Sequence, residues 1–136
     1  MGDHINANIK FREDFRPFAP AVLPEHAARC FESGRDSPYM ILVDRTRAEL
    51  AGALRNVTHV DGTARVQTVQ RNWNPEFAAL LDAFHARTGI PVLLNTSFNR
   101  RGMPMVERPE EAVALFAETA LDALVLQDVL VRKRTG

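Results

Sequence analysis

The chain has 136 residues, 46% hydrophobic and 25% charged, a balance that suits one soluble domain with a single core. Its seventeen basic and seventeen acidic side chains cancel, so global charge selects neither a nucleic acid nor an anionic membrane surface as partner. No run of about 18 apolar residues is present to span a bilayer, the start MGDHINANIK lacks the apolar stretch of a signal peptide, and the single Cys30 has no internal disulfide partner, so a reducing, cytoplasmic setting is expected.

Residues 3–9 suit a short helix, with Asp3 as cap and Ile5 and Ile9 on one face. Residues 10–20, KFREDFRPFAP, hold two prolines and three phenylalanines and read as extended chain. Phe11, Phe15 and Phe18 would anchor it, and Lys10, Arg12 and Arg16 would project as polar groups. Residues 21–23 continue as a strand, and Pro24 opens a helix to about Phe31, with Cys30 at a half-buried structural position. ESGRDSP is loop chemistry. YMILV, residues 39–43, reads as a strand. Asp44 ends it and caps a short helix through Leu50. Residues 56–60 are extended, Asp61-Gly62 is a turn, and residues 64–70 alternate as a strand. Ala64, Val66, Thr68 and Gln70 lie on one face, with Arg65, Gln67 and Val69 on the other.

The best-marked helix is Pro75–Thr88. Asn74 caps it, Pro75 occupies its first position and Gly89 closes it. Phe77, Leu80, Leu81 and Phe84 form its apolar stripe. His85 beside that stripe reads as a surface or satisfied core residue. PVLLNTSFNRRG, residues 91–102, then joins a buried strand to a polar loop at its carboxyl end, the place where open α/β sheets bind ligands. Pro109 opens a second helix to about Thr119, with Glu110 and Glu111 at its positive end. Val113, Phe116 and Ala117 face the core, while Arg108 is a poor cap. Residues 124–126 and 129–132 are closing strands separated near Gln127-Asp128. The pattern predicts an α/β fold with a mixed sheet.

Three polar clusters carry chemistry. They are Lys10, Arg12 and Arg16; residues 58–65, THVDGTAR; and Asn95, Thr96, Ser97 and Asn99. Cations, hydroxyls, amides and the backbone N–H groups near Gly62 make an anion-binding inventory, suited to phosphate. The sequence has no metal-ligand cluster, Walker loop or GxGxxG, and no nucleophile elbow around Ser97. Read separately, each group has a plainer role. Lys10 and Arg12 would pair with Glu13 and Asp14, Arg65 would be an outward strand residue, His59 would join Asp61 in a turn, and Ser97 and Asn99 would cap a helix.

KFREDFRPFAPAVL, SPYM, VTHVDGTARVQTV and PVLLNTSFN, in this order, closely resemble the carboxyl-terminal domain of the O-carbamoyltransferases, a family that includes nodulation-factor and antibiotic-tailoring enzymes. The resemblance covers nearly the whole chain. It implies a YrdC-like twisted open mixed sheet with flanking helices, as a single domain over residues 1–136. The upstream actin-like transfer domain would be absent or carried by a partner subunit. It also implies binding of carbamoyl phosphate and ATP, with Mg²⁺, and formation of carbamoyl adenylate for transfer to a hydroxyl acceptor. By motif match, Lys10, Arg12 and Arg16 would hold phosphate-like oxygens. Thr58, His59 and Arg65 would line the carbamoyl phosphate and adenylate pocket, with His59 as acid/base. Asn95, Ser97 and Asn99 would contact nucleotide phosphates, while Arg100 and Arg101 would face solvent. Such a reaction needs cations and donors that hold two anions in line. The rival reading is a non-catalytic nucleotide- or anion-binding assembly module that works only with a partner chain, with homodimerisation as a further possibility. Net charge zero argues against RNA binding.

Overall fold

The computed structural model describes residue 5 and residues 18–134. Ile5 is helical; the other residues of the short helix expected over 3–9, and Lys10, Arg12, Arg16, Phe11 and Phe15, lie outside the described residues. The chain forms a mixed α/β structure with open sheets. It divides into two compact units, one spanning Pro17–Thr96 and a second containing Ser97–Gly136.

The first unit is built on β1 (Ala19–Val22), a strand buried along its whole length. It lies between β4 (Gln67–Thr68), which runs parallel to it, and β5 (Val92–Asn95), which runs antiparallel. A proline in a central strand would break a ladder. Here pairing with β4 starts only at Ala21, so Pro20 has a strand neighbour on the β5 side alone, opposite Leu94. Helix α1 (Pro24–Cys30) follows β1 directly, with Pro24 in its first turn and Ala27 and Cys30 buried. Strands β2 (Val43–Arg45) and β3 (Thr63–Arg65) form a separate antiparallel ribbon. Helix α2 (Pro75–Thr88) begins as its sequence predicts: Asn74 Oδ1 accepts from the Phe77 N–H at 3.1 Å. It ends at Gly89, whose φ of 73° is the left-handed geometry that glycine tolerates. One face of the sheet closes over α2, where Ala21, Leu23 and Val69 pack with Ala78 and Leu81.

Several expectations are corrected. Residues 39–42 are not a strand, and β2 starts at Val43. The backbone groups of Ser37 and Thr68 bond each other's segment, through Thr68 N–H to Ser37 O at 3.2 Å and Ser37 N–H to Thr68 Oγ1 at 2.8 Å. The chain then turns at Met40, whose φ is 55°, and Ile41 is left 77% exposed. Asp44 lies inside β2 rather than capping a helix, and the short 3₁₀ turn Ala48–Leu50 starts at Arg47 without a side-chain cap. Residues 56–60 form turns, not extended chain. Of the stretch 64–70, Ala64, Val66 and Thr68 on one expected face are buried, as is Val69 on the other, and the strand breaks at Val66, one piece joining each sheet. On α2, Leu80 is exposed and Ala78 takes the core position.

In the second unit, helix α3 (Pro109–Glu118) packs on the hairpin β6 (Ala123–Leu126) and β7 (Val129–Arg132). The core here is Ala112, Phe116 and Leu124, with Phe98, Val106 and Val131 against it. Val113 and Ala117 are exposed, so the α3 stripe is rotated from the expected one onto Ala112, Leu115 and Phe116. The hairpin turns at Gln127-Asp128, and Gln127 adopts a φ of 53°.

Candidate functional site

The β2–β3 ribbon and the turn that feeds it organise the middle cluster. Pairing sets Val43 opposite Arg65 and Arg45 opposite Thr63. Alternation therefore puts Arg45 and Arg65 on one face and buried Ala64 on the other. Arg65 is exposed at the end of β3. Arg45 donates to the Asp61 carbonyl at 3.1 Å and arches over Gly62, where an added Cβ would meet its guanidinium at 3.2 Å. Gly62 has a φ of 83°, so the turn needs glycine for its backbone as well.

Inside that turn, Asp61 Oδ1 accepts from the Thr63 N–H at 2.9 Å and the Thr63 hydroxyl at 2.7 Å. The Thr63 bonds hold the Asp61 carboxyl below its ordinary 3.8. His59 closes the turn, its N–H reaching Thr63 O at 2.6 Å while its carbonyl accepts from the Gly62 N–H at 3.0 Å. Its Nδ1 lies 3.2 Å from Thr63 Oγ1. That hydroxyl has one proton and gives it to Asp61, so Nδ1 must be the donor to Thr63. The neutral imidazole then carries its lone pair on Nε2. Thr58 is oriented differently. Its hydroxyl donates to Leu54 O at 3.0 Å and lies 3.0 Å from the Thr46 hydroxyl, which ties the 54–58 turn to the start of the 46–50 segment.

Asn95 ends β5 and stands opposite Ala19. Its Nδ2 donates to Gln67 Oε1 at 2.6 Å across the small side chains of β1. Gln67 follows Arg65 by two residues, so the piece of chain that carries Arg65 also braces Asn95. The sequence reading had no role for Gln67 or Arg45. Gln67 carries a faint signal, since alternation sets it on one face with Arg65; Arg45 carries none, because the sequence predicts a strand at residues 39–43 that ends before it.

Ser97 and Asn99 belong to the second unit. Ser97 Oγ donates to Asn99 Oδ1 at 2.7 Å, and Asn99 Nδ2 donates to Met103 O at 2.9 Å. With Val106 N–H bonded to Phe98 O at 3.0 Å, these close the 97–106 loop. Arg100 is not simply solvent-facing: it pairs with Glu118 at 2.6 Å. Cys30 is fully buried and burial pushes its thiol up, as suits a core residue and not a nucleophile.

The described residues are a mixed α/β chain that presents arginine, imidazole and carboxamide groups from strand ends and tight turns. The chain belongs to the family described as carbamoyltransferase C-terminus, which it matches over residues 1–133. It is 48% identical over 98% of its length to the nodulation protein NolNO of Sinorhizobium fredii, covering 20% of that protein. It is 47% identical over 97% of its length to nodulation protein NolO of Bradyrhizobium diazoefficiens, covering 25% of it. It is also 39% identical over 98% of its length to the 3'-hydroxymethylcephem-O-carbamoyltransferase of Amycolatopsis lactamdurans, covering 25% of that enzyme. The chain thus spans a fifth to a quarter of these curated relatives.

Proposed function

We propose that the chain binds carbamoyl phosphate and ATP and forms carbamoyl adenylate, the donor half of O-carbamoyl transfer to a hydroxyl. The observation that carries this reading is that Arg45 and Arg65, both exposed, share one ribbon face beside a turn whose hydrogen bonds engage His59 through Nδ1 and leave Nε2 as its acceptor nitrogen. Two guanidinium groups suit a phosphoryl anion. An imidazole whose Nδ1–H is held by the Thr63 hydroxyl presents Nε2 as an acceptor that can take a proton.

In this reading water attacks carbamoyl phosphate, releasing inorganic phosphate and carbamate, with His59 Nε2 taking the proton of that water. A carbamate oxygen then attacks the α-phosphorus of ATP, and pyrophosphate leaves. The arginines offset charge on the transferring groups. Lys10, Arg12 and Arg16 would add cations, and Asn95, Ser97 and Asn99 hydrogen-bonding groups. Thr58 would act by holding the turn that carries His59. Mg²⁺ would arrive on the phosphates of ATP. The acceptor hydroxyl and the transfer step would belong to the remaining part of a full-length protein or to a partner subunit, in the resemblance an actin-like domain.

Titration calorimetry with carbamoyl phosphate and with Mg·ATP tests the binding. The wild-type chain is expected to bind both, and Arg65→Ala to weaken carbamoyl phosphate by about 10- to 100-fold, the range for a lost hydrogen bond to a charged group. A folded wild-type chain that binds neither sinks the reading. The second reading, a binding module active only when joined to a transfer partner, is motivated by the small share of its relatives that this chain spans. Binding without turnover until such a partner is added would favour it.

A further inference from the structure

We propose that Gln67 fixes the carboxamide of Asn95 so that Asn95 recognises the amide of a carbamoyl group and not a phosphate. The inference rests on the carbamoyl phosphate reading above and names the part of the substrate that Asn95 meets.

The 36–38 segment is pinned to β4. Thr68 donates its hydroxyl to Asp36 and accepts the Ser37 N–H, and Gln70 Nε2 donates to the second Asp36 oxygen at 2.7 Å. This holds the Pro38 carbonyl beside Gln67, where Nε2 donates to it at 3.5 Å. A carbonyl only accepts, so Gln67 must turn its nitrogen toward Pro38 and its oxygen toward Asn95. The reverse orientation would set two acceptor oxygens face to face. Asn95 in turn must offer Nδ2 to Gln67 Oε1, and the 2.6 Å contact is the short bond that results. Asn95 cannot flip without losing it. Among the described residues, Asn95 Oδ1 is therefore left as an acceptor beside one remaining N–H.

An acceptor and a donor on one carboxamide complement a group that itself has both. A carbamoyl –CO–NH₂ does and engages both; a phosphate oxygen only accepts, so it takes the remaining N–H and leaves Oδ1 unpaired. Asn95 thus stands as a specificity residue, with Gln67 as its positioning residue.

Acetyl phosphate, which carries CH₃ in place of NH₂, is the discriminating probe. Calorimetry on the full chain is expected to show carbamoyl phosphate bound about five- to tenfold more tightly than acetyl phosphate, the net worth of one hydrogen bond. Gln67→Leu is expected to bring that ratio to about twofold or less. Gln67→Glu keeps an acceptor toward Asn95 and is expected to retain the preference, which separates positioning from a general loss of structure. Equal binding of the two phosphates by the wild-type chain, or an undiminished ratio in a folded Gln67→Leu chain, overturns the inference and leaves the carbamoyl phosphate reading standing. Binding of neither ligand by the wild-type chain removes both together.

Discussion

Asp44 shows what one side chain does when a loop has no ladder to join. Its Oδ2 accepts from the Ser33 hydroxyl at 2.6 Å and the Gly34 N–H at 3.0 Å, and its Oδ1 from the Ser33 N–H at 3.1 Å. Burial pushes this carboxyl up, but the Ser33, Arg45 and Gly34 donors together hold it below its ordinary 3.8. A depressed carboxylate contributes stability that is fully present above the unfolded value near 3.8 and is lost as pH falls through the lower folded value. Ser33→Ala is therefore expected to cost about 1 kcal/mol at neutral pH and to shift the Asp44 titration upward. Urea melts at pH 7, with carboxyl shifts followed by NMR, check both. Gly34 is less forgiving. Its φ is 57°, and an added Cβ would lie 2.6 Å from the Ala28 Cα, a backbone atom with no room to yield. Gly34→Ala is expected to cost about 2 kcal/mol or more in the same melts. Neither effect was legible beforehand, because ESGRDSP reads only as loop chemistry and its partners Ala28 and Asp44 come from other segments.

At the scale of elements, punctuation was more legible than faces. Asn74, Pro75 and Gly89 mark the ends of α2 because caps are local chemistry, and the structure keeps all three. Gly89→Ala is expected to lower stability by about 1 kcal/mol. The start of α3 reads as weak because Arg108 is a poor cap. Glu111 compensates, accepting from the Glu107 N–H at 3.1 Å and the Arg108 N–H at 3.4 Å, and those bonds, with the Arg108 side chain, hold its carboxyl low. Glu111→Ala is expected to fray the first turn of α3, read as faster amide hydrogen exchange confined to that turn. The lost strand at residues 39–42 has a tertiary cause. YMILV has strand composition, but Ser37 and Thr68 already use the edge it would need. Likewise, nothing in an alternating run reveals that Val66 is where the chain leaves one sheet for another.

For the whole molecule, the open mixed α/β character and the loop after β5 were legible from hydrophobic runs and polar bursts, and the family from its long motifs. The site was legible as an inventory but not as an arrangement. His59, Arg65 and Asn95 are marked by their chemistry; that Arg45 shares a face with Arg65 depends on the β2–β3 register, and that Gln67 reaches Asn95 depends on strand order β4-β1-β5, which a linear pattern does not contain. The described residues hold no helix long and apolar enough to cross a membrane. The central claim is chemical, and its most direct test is phosphate and pyrophosphate release by the purified chain given Mg·ATP with and without carbamoyl phosphate. The account predicts equal amounts of phosphate and pyrophosphate that appear only when both substrates are present, slowed in His59→Ala and in Arg65→Ala. Pyrophosphate release indifferent to carbamoyl phosphate, or none from a chain that binds both ligands and has been supplied with its transfer partner, would contradict it.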